Sequence, residues 1–340
     1  MVARLSSAFA VILALSFSTA HAQDSTAAFY KSHKITLGAP SNAGGGYDTY
    51  LRALSRYLGK YIPGEPGIIV QNVPAAGGMV LANQLYNTAP KDGTAIGMVR
   101  GTVVQENVYQ NPQALFDGRK FIWVANMNSD YDACVISTSS GVKSIKDFYT
   151  REIVVGASGA GAQSYSFPIV YRELLGMKFK VITGYPGTPE RVLAMERGEL
   201  TGACGITTTT YRSVLAQQAK DGKIFLGAMA GAQKDPRYPD VPNILDEAKT
   251  PEVHQALEFL FGTLSLGRPL ALPPDTQKDR ADILIKATLQ AMADTDFLED
   301  AKKLQIDIEV SDGAATAKMV NVLYDTPAPV VAKLQAALAH

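Results

Sequence analysis

The chain has 340 residues, 32 Lys and Arg against 32 Asp and Glu, 46% hydrophobic residues, 29 glycines and two cysteines. Zero formal charge without a basic stripe excludes a nucleic-acid binder, because phosphate neutralisation supplies most of the affinity there. A chain nearly half apolar and only 19% charged buries enough surface to offset its conformational entropy, which excludes disorder, and its length corresponds to about two domains.

Residues 1–22 read as a secretory signal peptide: Arg4 is a short positive start, residues 5–17 are mostly apolar or small, and Ala20-His21-Ala22 is an A-x-A cleavage site. The apolar run is shorter than the ~20 residues that span a bilayer, so the mature chain is expected to be exported. Outside the cytoplasm Cys134 and Cys204 either pair, closing a long loop, or remain small buried thiols. Their spacing, and that of the few His, suits no metal.

In chain order, residues 34–39 read as a strand, 44–46 as a glycine loop, and 47–61 as a helix with Leu51, Leu54 and Leu58 on one face, ended by Pro63 and Pro66. Residues 67–71 form a second strand, 74–78 a second loop and 79–87 a second helix, closed by Pro90 and Asp92-Gly93. A strand over 94–99 is followed by an irregular stretch, by the apolar run 121–124, by polar residues 126–132, and by a strand over 133–137. Further βα units follow: strand 152–156, loop 157–162, helix 163–175; strand 179–182, loop 183–187, helix 188–197; strand 200–205, helix 208–219. Residues 259–266 resemble a return strand, and beyond Pro273 the chain is mostly helical, with amphipathic stretches over 280–293 and 315–324.

This alternation is that of an α/β protein with mainly parallel sheets. Two similar halves joined by an out-and-back connection predict two lobes, 23–132 with 263–340 and 133–262. A ligand cleft is expected between them, lined by loops at the C-terminal ends of the strands.

Glycines gather at four strand-to-helix junctions: Gly44-Gly45-Gly46, Gly77-Gly78, Gly156/Gly159/Gly161 and Gly184/Gly187. Glycine admits positive φ and close backbone approach, and the first turn of a following helix offers unpaired N–H groups, so such junctions bind anions without Arg or Lys. Any one of them could equally be a plain tight turn. Asp48 follows the triple glycine either as a helix-capping acid or as a group that orients ligand or water. Arg100, after the third strand, is a countercharge for a carboxylate or an ordinary surface arginine. Tyr47 and Tyr185 either cover a ligand or pack.

Catalytic signatures fail on inspection. Gly156-Ala157-Ser158-Gly159-Ala160 lacks the final glycine of a nucleophile elbow and has no suitably placed His, and Gly159-Ala160-Gly161 lacks the third glycine of a dinucleotide fingerprint. No cofactor is expected.

At these loops the sequence resembles the substrate-binding receptors of tripartite tricarboxylate transporters, the Bug receptors. Residues 40–48 (PSNAGGGYD) resemble the family's first loop, residues 70–78 (VQNVPAAGG) its second, usually V-E-N-R-P-G-A-G-G, and Pro90-Lys91-Asp92-Gly93 its P-x-D-G turn. Phe116-Asp117 before Phe121 and Val124, residues 156–161 and residues 185–187 resemble further family segments, so the resemblance covers nearly the whole mature chain.

The resemblance implies a two-lobed, type II-like periplasmic binding-protein fold that closes over a small organic carboxylate and hands it to membrane permease subunits. It implies a monomer in the periplasm, and no enzyme. Carried over by position, the contacts are Ser41, Asn42, Ala43, Gly45 and Asp48 with Ala75, Ala76 and Gly77 in one lobe. In the other they are Ser158, Gly161, Gln163, Ser164 and Tyr185. Ser41, Asn42, Val73, Ala162 and Thr201 replace the usual aromatic, proline, arginine, serine and aspartate, so no member's ligand transfers directly. The alternatives are an exported enzyme using Ser158 or Asp48 on an anionic substrate, and a sensor subunit that reports ligand to a membrane kinase.

Overall fold

Alternating β-rich and amphipathic segments carry the chain, in a computed structural model that describes residues 26–159, 162–185 and 187–339, into two units, each with its own sheet. The expected signal peptide and Gly161 lie outside the described residues. Of the described residues, the first unit comprises 26–103, Pro112–Met127 and Arg268–Thr316; the second comprises Val104–Asn111, those within Asn128–Gly267, and 317–339.

In the first unit a helix over residues 26–32 (α1) precedes β1 (Ile35–Ala39), α2 (Gly46–Leu58), β2 (Ile68–Asn72), α3 (Met79–Asn87), β3 (Ala95–Met98) and the start of α4 (Gly101–Val108). After β4 (Ile122–Asn126) the chain returns to this unit only at β10 (Pro269–Leu272), α11 (Lys278–Met292), α12 (Thr295–Lys303) and β11 (Ser311–Asp312). The sheet runs β11-β4-β10-β3-β1-β2, with β1, β2 and β3 parallel and β10 antiparallel to both neighbours. Leu51, Leu54 and Leu58 of α2, at helical spacing, pack with Ile35 and Leu37 of β1, Leu284 of α11 and Phe297 of α12. All are fully buried, and each leucine side chain contributes roughly 2 kcal/mol of burial.

The second unit's sheet runs β7-β6-β8-β5-β9, from β5 (Asp132–Ser137), β6 (Ile153–Ala157), β7 (Phe179–Thr183), β8 (Gly202–Thr207) and β9 (Ile224–Ala230). β6, β7 and β8 are parallel; β5 runs against β8 and β9. The short α5 (Asp147–Thr150) precedes β6; α6 (Gln163–Leu175) and α7 (Thr188–Glu196) follow β6 and β7. Cys134 on β5 is bonded to Cys204 on β8.

Four features differ from the sequence expectation. Residues 259–266, expected as a return strand, end a helix, α10 (Pro251–Ser265), because the run continues the helical spacing of Val253, Ala256, Leu257, Leu260 and Leu264. Pro251 opens that helix and Thr250 Oγ1 caps it by accepting from Val253 N at 3.3 Å. The return strand is β10, too short to announce itself. The expected helix 208–219 is two short ones, α8 (Thr208–Ser213) and α9 (Ala216–Lys220), and β9 is a strand that the sequence expectation does not contain. Finally, most of α13 (Gly313–Tyr324) and all of α14 (Ala328–Leu338) belong to the second unit, where α14 packs on α6 and α10.

Candidate functional site

In the first unit the parallel strands β1, β2 and β3 release their chain ends at one end of the sheet. There the loops 40–45 and 73–78 and the segment Val99-Arg100 converge. Gly45 precedes α2 without any side-chain cap, so the helix's first N–H groups are not met by its own N-cap side chain. Asn42, Ala43, Ala75, Ala76 and Gly77 are exposed, while Ser41, Gly45 and Tyr47 are half-buried.

Asp48 is 1% exposed and does not cap the helix in the usual way. Its Oδ2 accepts from Gly44 N at 2.8 Å and from Arg52 Nε at 2.8 Å, and its Oδ1 from Asn72 Nδ2 at 2.9 Å. Asn72 Nδ2 also donates to Ser41 O at 2.8 Å, so one carboxylate fastens the first glycine loop to the end of β2. Burial acts to raise its pKa, but the bonds from Arg52, Gly44 and Asn72 outweigh it and hold the carboxyl below the usual range. A carboxylate so engaged is a poor proton acceptor and a firm anchor.

The second loop is strained. Ala76 at φ 48° is left-handed without being glycine, and Gly77 and Gly78 continue at φ 65° and 102°. Gly78 has to be glycine for a second reason, since a Cβ there would meet Pro40 Cβ at 2.9 Å and Arg100 Cδ at 3.2 Å. The two loops and Arg100 are therefore in mutual contact. Arg100 Nη1 donates to Gly77 O at 3.2 Å, its guanidinium lies 4.8 Å from the Tyr47 ring centroid, and its Nε is buried with no hydrogen-bond partner among the described residues. No described carboxylate pairs with Arg100.

Sequence reasoning missed Arg268. It precedes β10, and because β10 runs antiparallel its N-terminal end arrives where β1 and β3 finish. Leu270 stands opposite Met98, Ala271 opposite Gly97, and Val99 N donates to Pro269 O at 3.0 Å; the same register brings Arg268 across from Arg100. Its guanidinium lies 4.5 Å from the Tyr47 centroid and 4.8 Å from that of Tyr50. Only the Gly-Arg-Pro step at 267–269 could have hinted at it.

In the second unit the corresponding end of the sheet holds Ser158, Gln163, Ser164 and Tyr185. Ser158 N donates to Ser164 Oγ at 3.2 Å, which folds the loop after β6 onto the first turn of α6. Ala162 precedes that helix with no side-chain cap. Tyr185 N donates to Ala157 O at 3.2 Å, and the tyrosine ring covers Gly156, where a Cβ would stand 2.9 Å from Tyr185 Cδ2. Gly205, at φ 68°, lets α6 approach β8 closely: a Cβ there would be 2.7 Å from Ser164 N. Arg191, buried, ties the loop before α7 to β8 by donating to Gly187 O at 3.3 Å, Thr188 Oγ1 at 2.9 Å and Cys204 O at 2.8 Å.

Asp132 also stands at this end, opposite Thr207 on β8 and Ala230 on β9. It is fully buried, and neither oxygen has a hydrogen-bond partner among the described residues. Burial, with Asp130 adding to it and Arg191 opposing, pushes its pKa up to about 7.

Elsewhere in the first unit a cavity of about 300 Å³ lies between α3 and β1 to β3, lined by Thr36, Gly38, Gln71, Val73, Leu81 and Gln84 among others. It contains none of the expected contact residues. No helix among the described residues is long and apolar enough to cross a membrane.

Residues 54–335 match the family described as tripartite tricarboxylate transporter family receptor, TctC. The match begins inside α2 and so contains the second loop but not the first. A UPF0065 protein of Agrobacterium vitis, described as lying in the TAR-I ttuE-ttuC' intergenic region, is 25% identical over 289 residues, 82% of this chain and 76% of its own. A TctC solute binding protein from Polaromonas, solved with no ligand, superposes with a TM-score of 0.70 at 17% identity, over 90% of this chain and 99% of its own. R. palustris Rpa4515 with adipate superposes with a TM-score of 0.62 at 14% identity, over 89% and 98%. At these identities the solved structures show the fold, and it is the α/β binding-protein fold expected from the sequence.

Proposed function

The chain belongs to the tripartite tricarboxylate transporter receptor family, and from that premise we propose that it is a periplasmic receptor for a small organic carboxylate. It captures the ligand at its glycine loops and delivers it to membrane permease subunits of a tripartite transporter. It performs no chemistry on the ligand, and its first 22 residues are an export signal.

The observation that carries this reading is the convergence, at one end of the first unit's sheet, of two exposed glycine loops with Arg100, a cation that no described carboxylate neutralises. Backbone N–H groups at an uncapped helix start and a fixed guanidinium are what a carboxylate requires. Ser41, Asn42, Ala43, Gly45, Ala75, Ala76 and Gly77 present backbone to the ligand, Tyr47 gives a ring, and Asp48 holds the two loops together rather than touching the ligand. Ser158, Gly161, Gln163, Ser164 and Tyr185 supply the second unit's contacts. That Rpa4515 carries adipate supports a dicarboxylate as the first candidate.

A thermal-shift screen of the chain without its first 22 residues against adipate, malate, citrate and benzoate tests the reading. A ligand at 100 times its dissociation constant adds about 2.7 kcal/mol to stability. A rise in melting temperature with an unaltered ligand supports the receptor. Chemical turnover of the ligand, or no response to any carboxylate, contradicts it.

A further inference from the structure

The second unit buries a cation and an acid at the loop end of its sheet, and the two do not bond to each other. Arg191 is 4% exposed, and its hydrogen bonds go to Gly187 O, Thr188 Oγ1 and Cys204 O, all uncharged acceptors. A guanidinium keeps its proton inside a protein, so the charge persists there. Its chain neighbour Glu190 is exposed, and solvent screens the attraction between them. Asp132 is fully buried, and neither of its oxygens has a hydrogen-bond partner among the described residues.

The groups around Asp132 decide how it responds to an anion. Asp130, on its own segment, disfavours its charge; Arg191, from α7, favours it. Tyr171, from α6, is a buried phenol that stays neutral, and β8 and β9 set uncharged Thr207 and Ala230 opposite. While Asp132 holds its proton, the charge of Arg191 acts undiminished at the loop it fastens, the one that carries Tyr185. Once the proton leaves, the carboxylate offsets that charge and adds a repulsion of its own. An anion bound at this loop therefore favours the protonated acid, and by linkage the protonated acid favours the anion.

We propose that Arg191 and Asp132 form a proton-gated charge selector: the guanidinium makes the loop before α7 favour an ionised group of the ligand, and the acid takes up a proton as that group binds. Both act through the field at that loop, and neither touches the ligand. The proposal rests on the carboxylate-receptor reading above and specifies what sets charge preference and pH response at the second unit.

The test is calorimetric titration of adipate and malate, whose carboxylates ionise well below neutral pH, into the chain without its first 22 residues and into its Asp132→Asn variant. A unit charge acting across about 10 Å at an effective dielectric constant of about 20 changes Kd about 10-fold, and salt reduces the effect to roughly 3- to 10-fold. For an acid that binds the parent chain, Kd therefore rises by roughly 3- to 10-fold between about pH 6 and about pH 8.5, while in Asp132→Asn it stays within about 2-fold. In buffers of differing ionisation enthalpy near about pH 7.5, the parent takes up about half a proton per ligand more than the variant. Arg191→Gln, checked for folding by its melting curve, binds roughly 3- to 10-fold more weakly near about pH 6; where it does not fold, the Asp132→Asn comparison decides alone. A purely structural Asp132 would move the melting temperature and leave the ratio of the two Kd values constant with pH. Parallel pH profiles of Kd, or equal proton uptake by parent and variant, overturn the selector while leaving the carboxylate reading intact. Failure of both acids to bind the parent chain overturns both.

Discussion

Replacing Asp132 by asparagine removes a charge that the interior of the second unit has no means to accommodate. Both oxygens are buried without a donor, and the carboxyl's pKa is raised to about 7 from an unfolded value of 3.8. The folded chain therefore keeps a proton that the unfolded chain releases, so its stability falls as pH rises from about 4 to about 7 and levels off above that. At about 1.4 kcal/mol per pH unit, the interval corresponds to roughly 4 kcal/mol. The amide introduced by Asp132→Asn has nearly the same shape as the protonated acid and no proton to lose. Urea unfolding at a series of pH values, with protein concentration fixed, should show the variant within about 1 kcal/mol of the parent near pH 4 and more stable by up to about 4 kcal/mol near pH 8.5. Parallel stability profiles for the two proteins, or a variant less stable at the higher pH, would refute the account of Asp132 as an unsolvated, proton-holding acid.

Asp48→Ala should destabilise the first unit by about 2 kcal/mol, since it removes the acceptor for Gly44 N, Arg52 and Asn72. Because the folded carboxyl is held below its ordinary pKa, the parent's advantage is present above that ordinary range and shrinks as pH falls through the lower folded value, which a pH series of melting curves would reveal. The bond between Cys134 and Cys204 closes a loop with a sequence separation of 70, for which chain entropy gives about 4 kcal/mol; replacing both residues by serine should lower unfolding stability by that order in denaturant titration. Ala76→Gly relieves a left-handed alanine at φ 48° and should leave stability unchanged or raise it by about 1 kcal/mol. A clear loss on that substitution would mean that the strain assigned to the second loop is absent.

Much of this site could be read from the chain because its parts are local. A strand, a glycine run and a helix in succession, as at 35–58 and 68–87, announce a glycine loop at the end of a parallel strand, and the structure places Gly44 and Gly77 in left-handed conformations there. What stayed hidden is non-local. Arg268 reaches Tyr47 only because β10 enters the first sheet against the direction of β3, a pairing across about 170 residues that no spacing rule encodes. Asp132 is set apart by the lack of donors around it, a property of β8, β9, α6 and α7 together and not of its own strand. The residues of α10 misled in the opposite way: Phe259 to Leu266 is apolar enough for a buried strand, and only the preceding turns, from Thr250 and Pro251 onward, reveal the helix.

The most direct test of the central claim is a crystal structure of the chain with its tightest-binding carboxylate. A carboxylate group within hydrogen-bonding distance of backbone N–H groups in residues 41–46 or 75–78, with a guanidinium on its other side, is the predicted result. A ligand seated in the cavity beside α3, or one whose carboxylate touches neither loop, would contradict it.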